Sequence, residues 1–182
     1  MQNFERRSVL KGLLAAISTS ALSDLAPAQT SSGGIMVAAG QDRFHQVRNI
    51  GVSSTNYKVA TSDTQGALFL VEHHNTRPGG PPLHLHYTQD EFWYVLAGEY
   101  IVEIGADRYK ARTGDSVLGP RNVPHRFAFT GGSPGRLLIA FTPAGKMEEF
   151  FTLLETKAGQ YTQQPALWEK YGMKLLGPPL TV

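Results

Sequence analysis

Residues 81–100, PPLHLHYTQDEFWYVLAGEY, constrain the fold of this chain more than any other stretch. His84 and His86 are separated by one residue, and side chains two positions apart on a β-strand lie on the same face. The polar residues 87–90 favour a turn, after which Glu91 begins a returning strand. The stretch therefore predicts neighbouring strands on which two imidazoles and one carboxylate converge.

A second stretch adds another candidate metal ligand. The turn-forming residues 121–124 precede His125, which we expect at the start of a third strand. Imidazoles suit iron, copper, nickel and zinc, and a carboxylate adds affinity for harder ions such as manganese. The pattern predicts a site for one divalent transition metal, without distinguishing Fe, Mn, Ni, Co, Cu and Zn. The predicted ligands are His84, His86, Glu91 and His125.

The other histidines carry weaker signals. An isolated pair with the spacing of His84 and His86 is more often a surface or core feature than a metal site, so the accompanying Glu91 and His125 matter. His73 and His74 end an alternating strand, so at most one of them faces the interior, where it could contact a substrate. His45 has no partner pattern, and we interpret it as a surface histidine.

The candidate ligands belong to a pattern that resembles the two motifs of the cupin superfamily. The first motif is matched by Gly79, His84, His86, Glu91 and Gly98. The interval between the first glycine and the first histidine is one residue shorter than the family's, and the other intervals fit.

The second motif is matched by Gly114, Pro120 and His125 at the family's spacing, with two departures. Asn122 stands where glycine is usual, and asparagine tolerates a left-handed turn. Phe129 stands where asparagine is usual, so an apolar group replaces a polar one near the expected pocket.

The resemblance covers about residues 40–145 and implies an all-β fold. That fold is the cupin double-stranded β-helix, a jelly-roll barrel, with one or two C-terminal helices. More loosely, the chain is similar to small single-domain (cupin type-2) proteins related to bacterial quercetin dioxygenases. An intact site in such a barrel could also be used only structurally.

The pattern along the chain agrees with a β-fold. Many short alternating segments separated by turns favour a sandwich or barrel, which we place at 45–145. Residues 29–44 are small and polar and read as a mobile arm. Apolar residues at helical spacing predict a helix over 146–157, and a second is expected over 165–176, so 146–182 reads as a C-terminal helical segment.

The N-terminal residues 1–28 resemble a twin-arginine signal peptide. Arg6-Arg7 precedes an apolar stretch over 12–22, and Ala26-Pro27-Ala28 resembles a cleavage site. The apolar stretch is shorter than the roughly 20 residues that span a bilayer, so no permanent membrane anchor is expected. We therefore expect a periplasmic or secreted protein. The alternative is a basic, frayed terminus of a cytosolic one.

Composition excludes several classes of function. The chain has 17 Lys and Arg against 15 Asp and Glu, a balance that attracts neither nucleic acid nor an anionic membrane. It has no cysteine, which excludes thiolate metal ligands and thiol catalysis. We expect a small molecule as the partner.

Strand parity indicates which side chains surround the site. Trp93 shares a face with Glu91, and Phe127 and Phe129 share a face with His125. These three aromatic residues are the candidate substrate contacts. The alternative is that they only fill the barrel core.

The opposite parity places further apolar residues on the outer face of the barrel. Phe92, Tyr94 and Leu96 alternate with the inward residues and need cover from the arm, a helix or a second subunit. We expect a homodimer, and the C-terminal helices are the competing cover.

Two classes of function remain open. The resemblance implies a metal-dependent dioxygenase with quercetinase-like chemistry on a small aromatic or phenolic substrate. Glu91 would then be a metal ligand and the catalytic proton acceptor, and dioxygen would be the second substrate. The alternative is a non-oxygenase cupin, either a metal-dependent isomerase or lyase, or a protein that binds or senses a small molecule. Cupins host many reactions on one site, so the fold does not decide between these classes.

Overall fold

The computed structural model describes residues 33–51, 53–156 and 163–182. The signal peptide predicted over 1–28 and the first part of the predicted arm lie outside the described residues. No helix in the described part of the chain is long and apolar enough to cross a membrane.

Strands dominate the described residues, with a 3-10 turn at Thr61–Thr64 and two short α-helices near the C-terminal end. The elements follow in the order β1 Arg48–Ile50, β2 Ser53–Val59, β3 Phe69–Asn75, β4 Pro82–His86, β5 Asp90–Ala97, β6 Glu99–Ile104, β7 Asp107–Arg112, β8 Ser116–Gly119, β9 His125–Phe129, β10 Gly135–Thr142, α1 Met147–Thr156, α2 Pro165–Lys170 and β11 Met173–Pro179.

The strands form two antiparallel sheets. One has six strands in the order β1-β2-β3-β10-β5-β8, and the other has five in the order β11-β4-β9-β6-β7. Consecutive strands such as β4 and β5 lie in different sheets, because the chain crosses between the two layers as it winds. This arrangement confirms the predicted all-β jelly-roll fold with C-terminal helices.

The core lies between the two sheets and follows the strand alternation. On β10 the side chains of Leu137, Ile139 and Phe141 are buried, and the two residues between them are half-buried. The ring of Phe69 stacks on that of Phe141 with centroids 6.0 Å apart. The interior is therefore built largely from aromatic rings, which bury more apolar area per residue than aliphatic side chains.

Two glycines make room for Phe129. A Cβ at Gly135 would lie 2.6 Å from two ring atoms of Phe129 and from the hydroxyl of Tyr100. A Cβ at Gly98 would lie 3.0 Å from the Phe129 ring, and Gly98 has φ 85° in the turn between β5 and β6. The large side chain of Phe129 therefore fits because glycines occupy the facing positions 98 and 135 of the same polypeptide.

The helix predicted over 165–176 is wrong in its second half. Helix α2 ends at Lys170, and Gly172, with φ 79°, turns the chain into strand β11. Strand β11 pairs with β4, which places Met173 opposite His86. The error arose because a short apolar run does not distinguish a helix from a strand by its periodicity alone.

The described part of the predicted arm is anchored at its end. Residues 33–41 have no helix or strand, but Asp42 is buried. Its carboxylate accepts hydrogen bonds from the backbone N–H of Tyr57 at 2.8 Å and from the Arg48 guanidinium at 2.9 Å. Arg48 also pairs with Glu155 on α1 at 3.0 Å, so the arm, β1 and α1 share one ionic network.

The outer face of the six-stranded sheet carries apolar side chains, as strand parity predicts. Tyr94 is 37% exposed, and Leu118 on the neighbouring edge strand β8 is 55% exposed. Phe92 and Leu96 are half-buried. A homodimer that covers this face stays a prediction.

We expect Gly135→Ala to destabilise the fold, because the added Cβ overlaps the Phe129 ring and the Tyr100 hydroxyl. Overpacking of this kind costs about 1–3 kcal/mol of unfolding free energy. Gly177→Ala is the matched control, since its Cβ would meet Leu83 only at 3.6 Å, an ordinary contact. Urea denaturation measures both variants, and equal stability of the two would contradict this account of position 129.

Candidate metal centre

The four predicted metal ligands lie together between the two sheets. His84 and His86 are on β4, Glu91 is the second residue of β5, and His125 is the first residue of β9. One potential ligand atom from each residue lies within 4.8 Å of the others. All four residues are buried, with at most 5% of each accessible.

Distances within the cluster suit a single ion. The Oε2 of Glu91 lies 3.0 Å from the Nε2 of His86, 3.1 Å from the Nε2 of His125 and 3.9 Å from the Nε2 of His84. Metal–ligand bonds of about 2.0–2.2 Å place neighbouring ligand atoms roughly 3.0–3.5 Å apart. The two shorter distances match this range, and the third corresponds to a wider ligand–metal–ligand angle.

Backbone carbonyls fix the orientation of two imidazoles. The Nδ1 of His84 donates to the carbonyl of Pro82 at 2.8 Å, and the Nδ1 of His125 donates to that of Val123 at 2.9 Å. A neutral imidazole then has a lone pair on Nε2. Nε2 of His125 faces the Glu91 carboxylate at 3.1 Å, so either a proton on the imidazole or a metal cation between them satisfies both groups. The donor set therefore fits a divalent metal.

Turn contacts hold the strands that carry the ligands. Asn122 has φ 62°, the left-handed conformation expected at this position, and its N–H donates to the carbonyl of His86 at 2.7 Å. Arg121 pairs with Asp90 at 2.8 Å, next to Glu91. These contacts tie the turn before His125 to both β4 and β5.

Electrostatics keeps the ligands in the forms that bind metal. Burial alone would raise the pKa of Glu91, but hydrogen bonds from His125 and His86 outweigh it and lower the pKa below its usual range. Burial, together with the charges of His125 and His86, lowers the pKa of His84 to about 3. At neutral pH, Glu91 is therefore a carboxylate and His84 a neutral imidazole, as metal coordination requires.

A cavity of about 370 Å³ opens beside the cluster. His84, His86 and Glu91 contribute to its wall. Most of the remaining lining is apolar and includes Phe127, Ile139, Phe141, Phe150, Trp168 and Met173. The cavity size suits a small molecule, since ligand pockets begin at about 300 Å³.

The three candidate substrate contacts occupy different places. Phe127 lines the cavity, whereas Trp93 and Phe129 are buried in the core and are not among its lining residues. The Trp93 ring packs edge-on against His125, with centroids 5.3 Å apart, and so supports a ligand. Their role in substrate binding stays a prediction.

Two aromatic residues beside the ligands were missed by the sequence reasoning. Trp168 on α2 lies 4.9 Å from the His84 ring between centroids, and Phe141 on β10 lies 5.6 Å from that of His86. No local pattern links either residue to the histidine motif. Only the packing of α2 and β10 brings them there.

The histidine pair on β3 divides as strand parity predicts. His73 lines the cavity, and His74 lies beside Glu72, at 3.3 Å. The Nδ1 of His73 is buried and has no hydrogen-bond partner in the described structure. Burial, with a smaller contribution from His74, lowers the pKa of His73 from 6.5 to about 4.

Comparison with known proteins places this site in context. Residues 73–141 match the cupin domain family model. An uncharacterized protein of Methanocaldococcus jannaschii is 28% identical over 67 residues, which cover 37% of this chain and 54% of that protein. Protein SchB of Streptomyces halstedii is 38% identical over 60 residues, which cover 33% of this chain and 44% of that protein. The chain thus spans about half the length of the curated relatives it matches.

A solved structure also resembles the chain. The structure of KdgF from Halomonas sp. superposes with a TM-score of 0.52 and 18% identity, over 62% of this chain and 94% of that one. At this identity the likeness shows the fold alone. The chain is thus similar to cupin domains over residues 73–141, and it shares its fold with that solved structure.

We expect His86→Ala to abolish stoichiometric metal binding, because it removes one of the imidazoles that contact the Glu91 carboxylate. His74→Ala is the matched control, since the same substitution then falls on a histidine outside the cluster. It should leave about one metal per chain after dialysis against a chelator. Elemental analysis measures both variants, and full occupancy in His86→Ala would refute the ligand assignment.

Stability should fall with acidification in part through His73. Its pKa is about 4 in the folded protein and 6.5 ordinarily, so the unfolded chain binds the proton first as pH falls. The free energy of unfolding is therefore unaffected by His73 above about pH 6.5. Between pH 6.5 and pH 4 it falls by up to about 1.4 kcal/mol for each pH unit. Denaturation at matched metal content should give a shallower pH dependence for His73→Gln than for the parent. Identical dependences would contradict the buried, neutral state.

Proposed function

Taking residues 73–141 as a cupin domain, we propose that this chain is an exported metal-dependent dioxygenase for a small aromatic or phenolic substrate, with quercetinase-like chemistry. The observation that carries the proposal is the cluster of three histidines and one glutamate beside a mostly apolar cavity, whose wall includes several aromatic rings. The resemblance of the ligand motif to that of quercetin dioxygenase-like cupins supports the choice of reaction.

The cavity walls suit a planar ring. Phe127 and Phe141 project from the two facing sheets, and Trp168 lies beside His84. Aromatic pairs contribute about 0.5–1.5 kcal/mol beyond the burial of apolar area. These rings would hold a substrate ring next to the ligands and exclude water from it.

A divalent metal held by the four ligands would supply Lewis-acid chemistry and, for a redox-active ion, electron transfer. Glu91 would act on the substrate's proton. Its Oε2 contacts His86 and His125, whereas its Oε1 has no hydrogen bond in the described structure. Oε1 is thus the atom available to accept the proton of a substrate hydroxyl. The carbonyls of Pro82 and Val123 keep two of the imidazoles oriented while the proton moves.

Export through the twin-arginine route is part of the proposal and rests on sequence. Arg6-Arg7, the apolar stretch and Ala26-Pro27-Ala28 support it. Because that route carries folded proteins, the metal would be bound before export, and the protein would act in the periplasm or outside the cell.

One observation favours the alternative of a lyase or isomerase. His73 lines the same cavity as Glu91, and its Nδ1 has no hydrogen-bond partner among the residues that the structure describes. An imidazole and a carboxylate in one cavity could serve as the acid and base of a proton-transfer reaction. Such an enzyme would convert its substrate without consuming oxygen.

Oxygen uptake separates these functions. The purified chain is analysed for metal and reconstituted in turn with iron, manganese, nickel, cobalt, copper and zinc. Uptake is then measured with a panel of phenolic substrates, and the products are analysed. Oxygen consumption that requires both metal and substrate would support the dioxygenase. Substrate conversion without oxygen would support the lyase or isomerase, and tight binding without conversion would support a sensor.

Within the dioxygenase proposal, Glu91→Gln should lower the turnover rate by about 10²-fold or more, because it removes the proton acceptor. Phe127→Ala should instead weaken substrate affinity more than turnover, because it removes a ring from the cavity wall. Steady-state kinetics and metal content are measured together, so that loss of metal is not mistaken for loss of base. Phe44→Ala, an aromatic residue 42% exposed and outside the cavity lining, should change neither parameter. Equal effects of the first two variants on turnover would contradict the assigned roles.

A further inference from the structure

Polar side chains form a second group in the cavity, apart from the metal ligands. Ser53 on β2 and Asn75 on β3 are paired across the two strands, and both are buried and line the cavity. Arg77 follows two residues later, in the loop between β3 and β4, and lines the cavity as well. None of the three residues contributes to the metal cluster.

The hydrogen bonds in this group run in one direction. The hydroxyl of Tyr100 donates to Oδ1 of Asn75 at 3.0 Å, and Nδ2 of Asn75 donates to Oγ of Ser53 at 2.9 Å. Oγ of Ser53 thus already accepts a hydrogen bond, and its own hydrogen has no acceptor in the described structure. Donors in such a chain polarise one another, which strengthens the last one. This series of hydrogen bonds therefore ends at the Ser53 hydroxyl, which lines the cavity and can donate to a ligand.

Arg77 adds a positive charge to the lining of the same cavity. It is exposed and has no ion pair or hydrogen bond among the described residues. Within the described lining of the cavity, Glu91 is the one carboxylate, and it belongs to the metal cluster. With a divalent ion bound, the lining has a net positive charge, so it favours an anion.

We propose that Ser53, Asn75 and Arg77 form a carboxylate subsite, so that the substrate is a small aromatic acid whose ring lies between this subsite and the metal ligands. The planar fork of a guanidinium matches the two oxygens of a carboxylate, and a hydroxyl donor adds a further hydrogen bond. This inference rests on the proposed function only in taking the cavity as the substrate site. The inference adds that the substrate carries a carboxylate on the side of the ring that faces away from the metal ligands.

Matched ligands test the subsite without catalysis. The zinc-loaded full chain is titrated by calorimetry with 3-phenylpropanoate and with 3-phenylpropan-1-ol, which shares its skeleton but has no carboxylate. The parent should bind the acid more tightly than the alcohol. Arg77→Gln should weaken binding of the acid about tenfold or more, since hydrogen bonds to charged groups are the strong ones, and change binding of the alcohol less than about twofold.

Two further variants make the result specific. Arg108→Gln removes another exposed arginine, which pairs with Glu103 and lies outside the cavity lining, so it should alter neither affinity. Ser53→Ala should weaken binding of the acid by about fivefold and binding of the alcohol by less, because it removes one hydrogen-bond donor to the carboxylate. Circular dichroism and metal content confirm that each variant is folded and loaded.

The outcomes separate this inference from the proposed reaction. Equal affinity of the parent for the two ligands, no measurable binding of the acid, or equal losses in Arg77→Gln and Arg108→Gln would overturn the subsite. The subsite would stand if the acid-specific loss were observed even though no ligand supported oxygen uptake. That combination would remove the dioxygenase proposal alone.

Discussion

The contact between the Glu91 carboxylate and the imidazoles of His86 and His125 joins the two sheets of this protein. Glu91 belongs to the six-stranded sheet, and the histidines belong to the five-stranded one. A buried carboxylate is costly unless charge or hydrogen bonds compensate it, so the spacing of the layers is constrained at this point. Much of the surrounding packing serves to keep these side chains in place, from the Trp93 ring behind His125 to the turn at Asn122.

Predictions from sequence succeeded where the information was local. The clustering of the four candidate ligands follows from strand parity over a few residues, and two tight turns bring Glu91 and His125 to the same place. Asn122 has the left-handed backbone that its chemistry permits. His73 and His74 face opposite sides, because neighbouring residues on a strand must.

Other features needed three-dimensional information. Strand parity gives the face of a strand that a side chain occupies but not its depth along the barrel. It therefore grouped Trp93, Phe127 and Phe129, of which only Phe127 lines the cavity. Phe129 is accommodated by Gly98 and Gly135, from segments that lie next to it only in the folded chain. In the same way, the run after residue 170 became a strand because β4 offered it a hydrogen-bonding edge.

The position of α2 and β11 bears on when the site can form. Trp168 covers His84 and Met173 pairs with the His86 strand, so the wall beside the histidines comes from residues roughly eighty-five positions further along the chain. Contacts of such long sequence separation form late, after the loop-closure entropy of the intervening segments has been overcome. During synthesis, the histidine motif would therefore emerge long before its cover. A metal ion captured by the nascent chain would remain open to exchange with solvent until the last strand had docked.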